Sequence, residues 1–452
     1  MVDVLLISPP FRGLLREPVG LYYLAGVLNS QGISTSLMDF NLELPSRTSF
    51  VEHLQHAKPK IIGITSYTFN LSVAQRIVEE IRRVLPEALT VLGGVHASAL
   101  PKETIAENPS LDIVVIGEGE QTFLDLCSKV LRKEEIDDIK GIALRKDGHI
   151  CVNSARELIE DLDKLPFPDR SLLPLEKYPV TSVQTSRGCP YNCIFCSINK
   201  FYGKRIRLRD PRKVAEECAM IVEKFNRKAL YFFGDAFTIN PNWTEEFCEE
   251  ILHRRLRFVW GCETRVDNVS PVILRKMKAA GCSEVHYGID YGDEKVLRNL
   301  GKDISLGDIN DAVKWAKEAG LFVGAFFIFN SPGENEETME NTFKLIQQVP
   351  IDAIEANLLT PYPGTSLWNS PQEYNMKIVD YDFDDYTTKK YVMENVLFPK
   401  DKFVPAFEAL LRRLNLVSSQ AAHPEIFDFL KKSKKLQPWR EERNRVKRFF
   451  RI

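Results

Sequence analysis

Short apolar runs alternate with amphipathic stretches along the first 370 residues of this 452-residue chain, and that alternation constrains the fold most. A strand followed by a helix and another strand must cross over, so the strands come to lie parallel, with helices covering the sheet. The first run, over 3–8, stops at Ser8, Pro9 and Pro10, because proline cannot donate to a strand ladder. A helix is expected from Val19, with Leu21, Leu24, Ala25 and Leu28 on one face and Gly32 closing it. Further strands are expected over 33–38, 61–65, 90–92 and 113–116, with a helix over 72–84 between the third and fourth. The expected fold of this part is a Rossmann-like, doubly wound parallel sheet, whose ligand site lies in the loops at the carboxyl ends of its strands.

A hairpin turned at Asp147-Gly148 and a proline-punctuated stretch over 161–170 then separate this domain from a second series of strands. Those six strands are expected near 180–185, 229–234, 257–263, 284–290, 322–329 and 353–360. Between them run amphipathic helices, one opening at Asp210-Pro211 with a stripe of Val214, Cys218, Ile221, Val222 and Phe225. Six strand–helix units suit a partial TIM-like (β/α)6 barrel, with its site at the carboxyl ends of the strands. The domains expected are 1–140, a hairpin and linker over 141–178, the partial barrel over 179–370, and a mostly helical region over 371–452.

The loop after the first barrel strand holds Cys189, Cys193 and Cys196, with three and then two residues between them. Three thiolates on one turn can hold three irons of a [4Fe–4S] cluster and leave the fourth open to an outside ligand. Gly188 and Pro190 suit a tightly curled backbone. Zinc knuckles come as paired Cys-x-x-Cys or Cys/His units, and no second unit follows. Nine cysteines, scattered apart from this loop, point to a reducing cytoplasm, with the other six as small core hydrophobes. With 60 basic against 62 acidic residues the chain is not expected to bind nucleic acid. No apolar run approaches a membrane span, and the first residues read as a strand and not a signal peptide.

The cysteine loop resembles the signature of the radical S-adenosylmethionine (SAM) enzymes, with Phe195 in its aromatic position. The resemblance implies Cys189, Cys193 and Cys196 as cluster ligands and SAM on the open iron, split by one electron into methionine and a 5′-deoxyadenosyl radical. The other strand ends match piece by piece. Gly234 and Asp235 stand where the family has a Gly-Gly-Glu segment that holds the methionine amino group. Arg265 is suited to the SAM carboxylate and Asp290 to the ribose, where relatives usually carry Glu. Ile328 and Asn330 fall in the adenine-contacting segment, and Tyr362 in the piece after strand six. The amino-terminal loops resemble those of the cobalamin-binding domain fused to many such enzymes. The matching residues are Ser8, Pro9 and Pro10; Thr65, Ser66 and Tyr67; Gly93, Gly94, Val95 and His96; and Gly117, Glu118, Gly119 and Glu120. The Asp-x-His-x-x-Gly motif of other cobalamin proteins is absent, so no histidine is assigned to cobalt. Gly93 and Gly94 are expected to permit close approach of a large flat cofactor.

The resemblance implies a [4Fe–4S] cluster, SAM and cobalamin as cofactors, and an electron donor such as flavodoxin or ferredoxin as partner. It implies a cobalamin-dependent methyltransferase that carries a methyl group from SAM via methylcobalamin to an unactivated carbon of an unknown substrate. Oxidative cyclisation, rearrangement or dehydration with the same cofactors is the first alternative, and a non-catalytic Fe–S or corrinoid-binding module the second. A methylthiotransferase would need three amino-terminal cysteines, and only Cys127 precedes residue 150. The basic run Lys204–Arg209 reads as a solvated positive face. Beyond residue 370 helices are expected at 401–417 and 424–433, followed by a tail with ten basic and two acidic residues over 431–452, read as a helix that seals the barrel.

Overall fold

The amino-terminal apolar run forms β1 (Val4–Ser8), all five of whose residues are buried in the computed structural model, which describes residues 2–10, 15–234 and 236–418. The chain divides into two compact units at the Pro179–Val180 bond.

The first unit is built on one sheet. Beside β1 lie β2 (Thr35–Asp39), β3 (Ile61–Thr65), β4 (Leu89–Gly93), β5 (Ile113–Val115), β6 (Ile142–Lys146) and β7 (His149–Val152), in the order β2-β1-β3-β4-β5-β6-β7. β1 to β5 run parallel, and their near-continuous Val, Ile and Leu content is what burial on both faces requires. The order reverses between β1 and β3, so the loops after these two strands flank the crevice in which such sheets take ligands. The hairpin expected in the linker is β6 and β7, which extend the same sheet antiparallel. The proline-punctuated connector also belongs here. The backbone N–H of Asp169 donates to Tyr22 O at 3.0 Å, and Asn29 Nδ2 donates to its carboxylate at 2.8 Å. The helix Val19–Ser30 is therefore buried nearly all round, and a Cβ on Gly26 would sit 2.7 Å from Phe167 O.

The second unit carries β8 (Thr181–Gln184), then a short antiparallel pair, β9 (Ser186–Arg187) and β10 (Arg207–Leu208), that frames the cysteine loop. β11 (Ala229–Phe233), β12 (Val259–Thr264), β13 (Cys282–Asp290), β14 (Phe322–Phe329) and β15 (Ala353–Leu358) follow. The sheet order β15-β14-β13-β12-β11-β8 is sequential and wholly parallel, a barrel wall that does not close. Alternate residues on each strand, such as Phe232, Trp260, Val285, Tyr287 and Phe327, pack against the outer helices. Phe232, Phe237, Trp243, Phe247 and Trp260 form one edge-to-face and stacked aromatic cluster there.

The basic run Lys204–Arg209 is not one solvated face. Lys204 and Arg205 are exposed, but Arg207 and Arg209 are buried. Arg209 donates to Gln184 O at 2.8 Å and pairs with the buried Glu217 at 2.5 Å, so this cation ties β8 to a helix. Beyond residue 370 an antiparallel pair, β16 (Met376–Ile378) and β17 (Met393–Asn395), precedes the helix Lys400–Ser418. The helix at 424–433 and the basic tail lie outside the described residues.

Candidate functional site

Backbone hydrogen bonds dock the cysteine loop on the carboxyl ends of the barrel strands. Gly188 has φ +93°, and any Cβ there would run into the Arg205 carbonyl, so glycine is required where the loop turns back on β10. Cys189 N donates to Gly203 O at 3.2 Å. Ile194 N donates to Leu300 O at 3.0 Å, and Ile194 O accepts from Leu367 N at 3.1 Å, so the loop is held from both sides. Gly301, at φ +70°, lets the turn after the helix Glu294–Asn299 approach to where a Cβ would stand 2.5 Å from Asn192 O. Phe195 packs against the barrel core.

Cys189, Cys193 and Cys196 are half-buried and take part in no disulfide. Among the described residues no three His, Cys, Asp or Glu side chains are set to hold a single metal ion. A [4Fe–4S] cluster asks for something else, one thiolate per iron at separated corners, and three thiols on one curled loop fit that demand. Burial pushes the Cys193 thiol up; the charges of Lys302 and Arg265 work against the rise and Asp290 adds to it. Those three charged groups stand at the ends of three adjacent barrel elements, and the loop brings Cys193 in among them.

Arg265 is buried, with Nε and Nη2 donating to the Asp267 carboxylate at 2.8 and 2.7 Å. Its guanidinium lies 3.6 Å over the Tyr191 ring, a residue of the cysteine loop. The arginine that the sequence suits to the SAM carboxylate is thus fixed by a carboxylate on one edge and an aromatic face below, which orients the rest of its donors. Asp290 is also engaged. It sits at φ +67°, buried, in an ion pair with the buried Lys302, which also donates to Gly288 O. Lys302 was not singled out from sequence; twelve residues separate it from Asp290, and only the fold brings them together. Gly234 lacks a Cβ because one would overlap Ser186 Oγ and Thr185 Oγ1, each at 2.7 Å. Asp235 lies outside the described residues.

At the end of β14, Asn330 is buried with φ +63°, and its Nδ2 donates to Met393 O at 2.6 Å. Its Oδ1 is buried and has no hydrogen-bond partner. A buried acceptor left open is costly, and an amino group such as that of adenine would satisfy it. Ile328 lies partly buried on the same strand. Tyr362 donates its hydroxyl to Tyr386 O at 3.3 Å, and burial pushes its phenol up to about 12, so it acts as a neutral strut.

Four residues past Asn330, Glu334 is fully buried, and its Oε2 accepts from Ser331 N at 2.6 Å. Burial pushes its carboxyl up to about 8, against the stabilising backbone hydrogen bonds. The unfolded chain releases this proton near 4.5, the folded chain only near 8. The folded state therefore binds the extra proton between these values, and stability falls as pH rises through that window, by on the order of a few kcal/mol in all. Glu334→Gln is expected to flatten this dependence. Urea midpoints at about pH 5 and pH 8 would show a smaller drop in the variant than in the wild type; equal drops would contradict the assignment.

In the first unit the cobalamin-type loops meet along the carboxyl edge of the sheet. Asn70 Nδ2 donates to Pro10 O at 3.2 Å across the switch point. Ser66 N and Oγ donate to Gly93 O at 2.8 and 3.0 Å. Ser98 Oγ donates to Gly94 O at 2.8 Å and accepts from Gly117 N at 2.9 Å. Ser8, Pro9, Ser66, His96, Glu118 and Glu120 are buried beneath this edge, whereas Pro10, Thr65, Tyr67, Gly93, Gly94, Val95, Gly117 and Gly119 are at least partly exposed on it. His96 is 2% exposed, sits 3.3 Å from Thr68 Oγ1, and is driven by burial to about 4, a neutral packing residue that does not face the edge. Glu118 accepts from Ile159 N at 2.7 Å. At Gly94, φ +97°, a Cβ would overlap the Ser66 backbone, so the contact between the two loops by itself requires glycine. Gly117 is the opposite case. At φ +75° nothing lies within 4 Å of its Cβ position, which is the open backbone that a flat corrinoid would lie against.

Comparison with known proteins agrees with both halves. Residues 183–346 match the radical SAM superfamily and residues 12–127 the B12 binding domain. An uncharacterized methyltransferase of Pyrococcus horikoshii is 31% identical over 406 residues, covering 87% of this chain and 88% of its own. The anaerobic magnesium-protoporphyrin IX monomethyl ester cyclase of Rubrivivax gelatinosus is 31% identical over 391 residues, 83% of this chain and 70% of its own. The fold is that of the radical SAM methyltransferase TsrM of Kitasatospora setae, solved with cobalamin and a [4Fe-4S] cluster bound, at a TM-score of 0.72 and 19% identity over 84% of this chain and 81% of that one. Sequence, fold and site together place the chain in the cobalamin-dependent radical SAM enzymes, a family that works with a [4Fe–4S] cluster, S-adenosylmethionine and cobalamin.

Proposed function

We propose that this protein is a methyltransferase that carries a methyl group from SAM, by way of its corrinoid, to an unactivated carbon of its substrate. The observation that carries the reading is the pairing of two sites in one chain: a three-thiol loop docked among Arg265, Asp290 and Lys302, and a sheet edge with open backbone at Gly117. The Pyrococcus relative, a methyltransferase, supports the transfer. When bound, the cluster and SAM supply a hydrogen-abstracting radical and the corrinoid supplies a methyl carrier.

This chain's residues position those groups. Cys189, Cys193 and Cys196 hold three irons. Arg265, fixed by Asp267 and Tyr191, directs its remaining N–H groups at the SAM carboxylate. The Asp290–Lys302 pair faces the ribose, and Asn330 Oδ1 accepts from the adenine amine. Pro10, Thr65, Tyr67, Gly93, Val95 and Gly117 border the corrinoid. A low-potential donor such as flavodoxin or ferredoxin supplies electrons. No helix among the described residues is long and apolar enough to cross a membrane, and nine cysteines without a disulfide suit a reducing cytoplasm.

The cyclase relative, at the same identity, favours oxidative cyclisation as the second reading. SAM carrying a deuterated methyl group separates the two. Methyl transfer puts the label in the product and requires cobalt; label-free product from the cobalt-loaded protein rejects it in favour of cyclisation, and turnover by cobalt-stripped protein rejects a corrinoid methyl carrier altogether.

A further inference from the structure

The inner wall of the barrel is unusual in what it lacks. Barrel interiors are ordinarily filled by bulky branched side chains. Here inward positions on three consecutive strands are glycines: Gly261 on β12, Gly288 on β13 and Gly324 on β14. Two of them are overlaid by polar side chains from the neighbouring strand. A Cβ on Gly261 would stand 2.6 Å from Glu284 Cγ, and one on Gly324 would overlap the His286 ring. Glu284 and His286 are thereby laid flat against the wall instead of across the interior, and both remain partly exposed.

The groups on this wall share one character. Glu263 accepts from the Tyr231 hydroxyl at 3.2 Å, and His286 Nε2 stands 3.5 Å from Glu284 Oε1. The Tyr231 and His286 rings meet edge to face at 5.9 Å, and His286 lies 5.8 Å from the Phe326 ring. No lysine or arginine occurs on any of the six strands. Glu263 has no cationic side chain at ion-pairing distance among the described residues, and one tyrosine hydroxyl satisfies a small part of a carboxylate's accepting capacity. Carboxylates between aromatic faces, on strands that carry no lysine or arginine and with the Lys302 ammonium beside Gly288 already paired to Asp290, favour a positively charged organic group.

We infer that this wall is the substrate subsite and that it binds a nitrogen cation of the substrate, a protonated amine or a quaternary ammonium, between Glu263 and the Tyr231, His286 and Phe326 rings. The inference rests on the enzymatic reading above and adds the substrate class. Glu263 lies two residues before Arg265, and His286 four before Asp290, so the cation is held just inside the strand ends assigned to SAM.

The test uses the full chain, reconstituted anaerobically with iron and sulfide and saturated with SAM. Ligand-observed NMR compares cadaverine with 1,5-pentanediol, which has the same length and no charge. Cadaverine should bind saturably and the diol about tenfold more weakly or not at all, about 1.4 kcal/mol of discrimination. Glu263→Gln should remove that preference while iron content and SAM affinity stay unchanged, and Glu263→Asp, which keeps the charge, should retain it. Equal binding of diol and amine, no saturable amine signal, or an undiminished preference in Glu263→Gln would overturn the inference. So would a parallel loss of SAM affinity in Glu263→Gln, which would make Glu263 a SAM contact. None of these outcomes bears on methyl transfer, so the labelled-SAM result stands apart from them.

Discussion

Replacing Cys189, Cys193 and Cys196 together by alanine is expected to abolish the iron–sulfur absorption and all reductive cleavage of SAM, a loss of several orders of magnitude. The buried thiols are not expected to stand in, and Cys151 lies on β7 of the first unit. Cys127, Cys218, Cys248, Cys262 and Cys282 are buried in cores, where burial pushes Cys127, Cys248 and Cys262 upward, away from the thiolate a cluster needs. The amino-terminal unit should stay folded, because its sheet, its helices and the connector that covers them lie before residue 180. Anaerobic iron analysis and the visible spectrum check the first part, and limited proteolysis the second. A triple variant that still takes up about four irons per chain would refute the ligand assignment.

Lys302→Met is expected to give the largest loss of stability of any single charge change near the site. Lys302 and Asp290 are both nearly inaccessible, so removing the ammonium leaves a carboxylate buried without its counter-charge, at about 3–5 kcal/mol. Asp290 also sits at positive φ, a conformation that asparagine tolerates. The double variant Lys302→Met/Asp290→Asn should therefore recover much of the loss, since no uncompensated charge remains. Urea unfolding of the two variants beside the wild type forms the test. SAM binding should weaken in both Lys302 variants while cluster content holds. A single variant as stable as the wild type would show the pair to be dispensable.

Much of the fold was legible in the sequence because its signal is local. Parallel strands buried on both faces read as apolar runs, and each of the six barrel strands falls within a few residues of its expected place. The cysteine loop was legible because ligand spacing is itself local. What escaped depends on distant partners. The helix Arg47–Ala57 buries only Phe50 and Leu54, too few for a clear period. Arg207 and Arg209 look like solvated charge until Glu217 and Gln184 are folded against the latter. Lys302 gives no sign in its own turn that it neutralises Asp290. The Ser66 backbone that requires glycine at position 94 lies 28 residues away in the sequence and leaves no mark in the Gly93-Gly94 pair. The hairpin β6–β7 was placed in a linker, because nothing in an exposed Asp-Gly turn announces that its first strand pairs with β5.

The central claim is that one chain joins a radical-generating cluster to a methyl-carrying corrinoid. Its most direct measurement is anaerobic purification with iron, sulfide and cobalt analysis, followed by mass spectrometry of the SAM products formed under reductant with substrate present. The account predicts about four irons and about one cobalt per chain. It also predicts 5′-deoxyadenosine and S-adenosylhomocysteine in equal amounts, one of each per methylated product. Cluster without cobalt, or 5′-deoxyadenosine with no S-adenosylhomocysteine in a turning-over sample, would contradict it.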